Sequence, residues 1–119
     1  MSSSVMRELS KKFASQTVLL CRKMAAERRE FVLINQILSS GTSIGANIHE
    51  AQYAQGTRDF VSKLEIALKE CHETEYWLDL LYDTNTISES DYRAMKNDCG
   101  ALRRMLISSI TTTKNRNNL

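Results

Sequence analysis

Two short stretches bring together residue types that do chemistry. His49 stands beside Glu50, and His72 lies within Glu70-Cys71-His72-Glu73. Imidazoles and carboxylates ligate zinc and di-iron centres. A di-iron bundle takes Glu-x-x-His on two helices, yet Lys69 stands three positions before His72 and Ala46 three before His49. The spacing fails both times, so His49, Glu50, His72 and Glu73 are expected on helix surfaces rather than around a metal. Cys21, Cys71 and Cys99 are odd in number, widely spaced and without a Cys-x-x-Cys pair. That pattern fits buried, reduced thiols better than a disulfide framework or a zinc knuckle. No phosphate-cradling glycine loop, dinucleotide fingerprint or nucleophile elbow occurs. No catalytic residue, cofactor or metal is therefore expected.

The remaining chemistry is electrostatic. Net charge is only +2, but residues 1–30 carry seven basic groups against three acids, and residues 89–119 six against three. Residues 49–83 reverse the balance, with three basic groups and eight acids. If four helices run up and down, the start of the first, the second turn and the end of the fourth share one end. Arg7, Lys11, Lys12, Arg58, Arg103, Arg104, Lys114 and Arg116 would then converge, and such a cluster attracts phosphates. The alternative is a solvated face with cations complementing a helix C-terminus. Glu70, Glu73, Glu75 and Asp79 form an acidic strip that is either solvated or paired with another subunit.

Helices must position these groups. The chain has no proline and four glycines, too few for a loop-rich or all-β fold. A first helix is predicted over about 5–26, where Met6, Leu9, Phe13, Thr17, Leu20 and Met24 recur at steps of three and four. Ser3 or Ser4 is its expected cap, and Glu27-Arg28-Arg29-Glu30 a short turn. The second helix, about 30–54, carries Phe31, Ile34, Leu38, Gly41, Gly45, Ile48 and Gln52 on one stripe. Its two glycines either admit a neighbouring helix closely or break the helix near Ser40-Gly41; the unbroken register favours continuity. Gly56 suits a left-handed C′ position and Thr57 the next N-cap.

The third helix, about 58–83, buries Phe60, Leu64, Ala67, Leu68, Cys71, Leu78 and Leu81. Along it Glu65, Lys69 and Glu73 are spaced for ion pairing. After a turn at Asp83–Ile87, Ser88 with Asp91 resembles a capping box. The fourth helix, about 89–112, carries Tyr92, Met95, Cys99, Leu102, Leu106 and Ile110, and residues 114–119 form a polar, fraying tail. Short connections favour antiparallel neighbours. The expected fold is thus a single all-α domain, an antiparallel up-down-up-down four-helix bundle. Tyr53, Tyr76, Trp77 and Tyr82 exceed what a thin bundle can bury, so they mark either a subunit interface or packing at the bundle's edges. No apolar run reaches the roughly 18 residues of a membrane span. The N-terminus lacks a signal peptide's apolar centre, so the expected location is cytoplasmic.

Several segments carry a family resemblance. They are Ser40-Gly-Thr-Ser-Ile-Gly-Ala-Asn-Ile-His-Glu-Ala51, Asp59-Phe60, Lys63-Leu-Glu-Ile-Ala-Leu-Lys-Glu70 and Glu73-Thr-Glu-Tyr-Trp-Leu78. They resemble the bacterial four-helix-bundle family whose members are also called 23S rRNA intervening-sequence proteins. The accessory variability determinant of diversity-generating retroelements is a related member. Many members have proline where Gly45 stands; Ser43-Ile-Gly-Ala-Asn-Ile48 keeps the frame without it. The resemblance implies a ring-like homopentamer without a catalytic residue to carry over. It also implies basic surfaces like those through which the retroelement relative binds nucleic acid and a reverse transcriptase. The expected function is a non-catalytic oligomer that binds RNA, DNA or a nucleic-acid enzyme through its basic end. The alternative is a protein–protein adaptor that works through the aromatic and acidic face of the third helix.

Overall fold

In the computed structural model, four helices account for nearly all of the chain: α1 (Ser2–Glu27), α2 (Phe31–Ala51), α3 (Thr57–Asp83) and α4 (Glu89–Arg116). The structure describes residues 2–27 and 30–119, so Arg28 and Arg29 of the expected first turn lie outside the described residues. The bundle measures 48 × 21 × 20 Å, the proportions of helices about 32–42 Å long lying side by side.

The four apolar stripes meet on one axis. Phe13, Ile37, Ile44, Leu64, Leu78, Leu81, Leu102 and Leu106 are among its fully buried side chains. Each contributes about 1.5–3 kcal/mol on leaving water. Three buried hydroxyls are satisfied locally. Thr17 Oγ1 donates to the Phe13 carbonyl at 2.8 Å. Thr74 Oγ1 lies 2.8 Å from the Glu70 carbonyl and 2.9 Å from Ser40 Oγ. All three cysteines are buried and free. Burial pushes the Cys21 thiol up to about 11. A hydrogen bond with Cys99, and then burial, raises Cys71. Raised in this way, the Cys21 and Cys71 thiols stay protonated and unreactive.

Neighbouring helices run in opposite chain directions. Cys21 Sγ reaches the Ile34 carbonyl, while Ser10, earlier on α1, lies against Gly45, later on α2. Glu50 pairs with Lys63 and Ser40 bonds Thr74. Asp79 meets Lys96, whereas Glu65 meets Lys114.

The helix ends depart from the sequence expectations in several places. Ser3 and Ser4, the expected caps, fall within the span of α1 rather than before it. Helix α2 is continuous through both glycines, but it ends at Ala51, three residues early. There the amides of Gln52, Tyr53 and Ala54 bond the carbonyls of His49, Glu50 and Ala51, a tightened last turn. Gly56 is extended (φ 160°) and is the N-cap of α3, so it is not a left-handed C′ residue, and Thr57 is already helical. Ser88 caps α4 as expected, accepting from the Asp91 amide at 3.1 Å. Asn85 takes the left-handed conformation in that turn (φ 58°). Helix α4 continues to Arg116, so Lys114 and Arg116 are helical and not part of a frayed tail. Phe31, placed on the core stripe by periodicity, is exposed at the first position of α2.

Candidate functional site

Small residues open a groove between α1 and α2. Gly45 brings the two backbones together: a Cβ there would stand 3.2 Å from the Ser10 carbonyl oxygen. Ala14, Thr42 and Ala46 add little bulk on either side. The resulting groove encloses about 490 Å³, and Arg7, Lys11, His49, Gln52 and Glu8 border it. A second depression, about 670 Å³, lies over the end where α1 starts, α2 turns into α3 and α4 finishes. Arg7 and Gln52 line it too, with Thr57, Phe60, Thr113 and Asn117. Because Arg7 and Gln52 line both, the two hollows adjoin and lead as a path from the side of the bundle toward its end.

Six of the eight candidate cations have no acid within ion-pairing distance among the described residues: Arg7, Lys11, Lys12, Arg58, Arg104 and Arg116. Arg7 and Lys11 line the groove. Arg58 sits in a shallow hollow beside Gly56 and Asn117 on the same end. Lys12 is exposed, about 100° around α1 from Lys11. Lys114 reaches Glu65 at 2.9 Å. Arg103 is held by Glu75, Nε to Oε1 at 3.0 Å, with the carboxylate 15% exposed. Arg104 folds back over Gly100, its Nη1 3.3 Å from where a Cβ would stand. Arg103 and Arg104 are therefore not at the end; about three turns, or about 18 Å, of helix separate Arg104 from Arg116.

The acidic strip is largely consumed within the bundle. Glu75 holds Arg103, and Asp79 accepts from Tyr92 Oη at 2.7 Å and Lys96 Nζ at 2.9 Å. Burial alone would raise the Asp79 carboxyl, but the two hydrogen bonds outweigh it and hold the group below its ordinary value. Lys96 is raised for the converse reason: partial burial lowers it, and the bond to Asp79 more than compensates. Glu73 accepts from Trp77 Nε1 at 3.3 Å. The sequence-spaced Glu65–Lys69–Glu73 ladder does not form, because Glu65 turns to Lys114.

The four aromatic candidates separate into two kinds. Tyr82 stacks on Tyr92 at 4.3 Å, 9° from parallel, and Trp77 is half-buried. Tyr53 (72% exposed) and Tyr76 (60% exposed) face solvent. Tyr53 packs its ring against His49 at 5.5 Å, beside the groove. Tyr76 meets Trp77 edge to face, at 5.2 Å on α3. They do not make one patch.

His49 and Gln52 are the groove residues that the charge pattern overlooked. Their signal was the helical series Gly45, His49, Gln52, in which a missing side chain is followed on the same face by two polar ones. Among the described residues, no three His, Cys, Asp or Glu side chains converge to hold a metal. No helix of the described residues is long and apolar enough to cross a membrane.

No curated protein matches the chain. A solved crystal structure at 1.70 Å does: a protein of unknown function, of the S23 ribosomal protein family, from Bacteroides thetaiotaomicron VPI-5482. It is 48% identical, covers 93% of this chain and 99% of its own, and superposes with a TM-score of 0.91. The pattern shared by 23S rRNA-intervening sequence proteins matches residues 3–108. With the four-helix architecture above, these likenesses assign the chain: it belongs to the 23S rRNA-intervening sequence protein family.

Proposed function

We propose that the protein is a non-catalytic, self-associating bundle that binds nucleic acid through the basic end and the adjoining α1–α2 groove. The observation that carries this reading is the contrast in pairing. Arg7, Lys11, Arg58 and Arg116 have no internal acid among the described residues, whereas Lys96, Arg103 and Lys114 are each neutralised. Unpaired cations around a hollow attract phosphates, and their binding releases counterions. The family name, which refers to intervening sequences of 23S rRNA, is in keeping with a nucleic-acid setting.

Self-association has separate support. Leu19, Phe31 and Val32 each leave more than half of their surface in water. A subunit interface would cover such side chains. We take the oligomer to be a homopentamer, which light scattering on the purified chain measures directly.

The test of binding is a mobility-shift titration with RNA and with DNA at several salt concentrations. Affinity should fall steeply as salt rises, with little sequence preference, because phosphate contacts carry no sequence information. Absence of binding at low salt would leave a protein adaptor as the better account. Solvent-facing Tyr76 on α3 is the residue that would favour it.

A further inference from the structure

The path described above has the dimensions and chemistry of a track for one strand. We infer that a single-stranded nucleic acid lies along it, with Arg7 and Lys11 on phosphates and Tyr53 stacked on a base. This rests on the nucleic-acid reading and specifies its ligand.

Three observations lead to it. The first is size. A volume of about 490 Å³ falls in the range that encloses a small-molecule-sized group, roughly one nucleotide. Arg7 and Gln52 continue the hollow onto the end of the bundle, so a chain of nucleotides need not stop there. A duplex is far bulkier than a hollow of that volume. The second is charge. Arg7 and Lys11 have no internal acid partner among the described residues, and Glu8 is the acid that borders the groove. Glu50, next to His49, is already taken by Lys63 at 3.1 Å. The third is the exposed ring. Tyr53 is 72% exposed, yet His49 braces it from one side at 5.5 Å. It is thus steadied with a face left open. Cationic grooves flanked by exposed aromatic rings are how proteins hold single strands without reading sequence.

Fluorescence anisotropy with the full chain decides it, using labelled oligouridylate, oligothymidylate and a duplex of the same length. Circular dichroism verifies that each variant is folded. Single strands should bind at least tenfold tighter than the duplex, and the RNA and DNA arms show which sugar is preferred. Tyr53→Ala should weaken single-strand binding about fivefold or more, the low end of a lost base stack. Glu8→Gln should tighten it, and Tyr76→Ala should leave it unchanged. Equal or tighter duplex binding, or a Tyr53→Ala affinity equal to that of Tyr76→Ala, overturns the single-strand track while the broader reading stands. Failure of every oligonucleotide to bind at low salt overturns both.

Discussion

The α3–α4 flank and the α1–α2 flank both display cations, and they dispose of them in opposite ways. On the first, Glu75 holds Arg103, Asp79 holds Lys96 and Glu65 holds Lys114, all between 2.9 and 3.0 Å. On the second, the facing surfaces are Ser10, Ala14, Thr42, Gly45 and Ala46, too small to reach a partner, and Arg7 and Lys11 are left to solvent. Acids on α3 oppose bases on α4 at matching heights, whereas α2 opposes α1 with glycine and alanine. The lesson is that a cation's position in sequence says little about its availability. The opposing helix decides whether it joins two helices or waits for an outside anion.

The contrast can be broken first at its open side. Arg7→Glu with Lys11→Glu should reduce nucleic-acid affinity tenfold or more at low salt. It should also flatten the plot of log affinity against log salt by about 1.4, two contacts at about 0.7 each for a single strand. Binding titrations across salt measure both; an unchanged slope would move the site elsewhere.

A steric test follows, at the seam on which the groove is built. A Cβ on Gly41 would stand 2.8 Å from Thr17 Cγ2 and Oγ1, and Thr17 is buried and hydrogen-bonded. Gly41→Ala should therefore cost about 1–3 kcal/mol, as overpacking does, despite the better helix propensity of alanine. Adding Thr17→Ala should recover most of that loss. Denaturant melts compare the two; equal losses would mean that the helices do not meet closely there.

Smaller effects are expected on the paired flank. Arg103→Ala should cost at most about 1 kcal/mol, since the pair is partly exposed, and leave nucleic-acid affinity as it was. A loss of affinity without loss of stability would place the binding surface on α4 after all.

The smallest effect is one of pH. Asp79 is depressed, so its contribution is present above the ordinary carboxylate value of about 4 and fades as pH falls through the lower folded value. Lys96 is raised, so its contribution is present below the ordinary lysine value of about 10.4 and fades as pH rises through the higher folded one. The difference in melting temperature between the native protein and Asp79→Asn should be widest between these limits and close in acid and in alkali. A difference constant with pH would mean that the Asp79–Lys96 contact adds nothing.

Much of the fold was legible in the sequence because burial imposes a period. Phe13, Thr17, Leu64, Cys71, Cys99 and Leu106 fall on the predicted stripes and are fully buried. The Ser88 cap was legible because its partner, Asp91, is three residues away. Gly56 was not, since glycine serves a left-handed C′ and an extended N-cap equally well, and the path of the chain between α2 and α3 chooses. Phe31 kept the period, but at the first position of α2 no neighbour covers it. Of the candidate site, the cations were legible and their fates were not. Glu75 lies 28 residues from Arg103 and 17 residues separate Asp79 from Lys96, and only packing brings such pairs together. The groove belongs to neither helix alone, so His49 read as an ordinary surface residue.

Backbone amide chemical shifts, followed by NMR as a short single-stranded oligonucleotide is added, report on both flanks of the bundle at once. Arg7, Lys11, Gly45, His49 and Gln52 should shift, with Glu75, Asp79, Lys96 and Arg103 unmoved. Shifts concentrated on the second group, or none on either, would mean that the open α1–α2 flank is not where the strand binds.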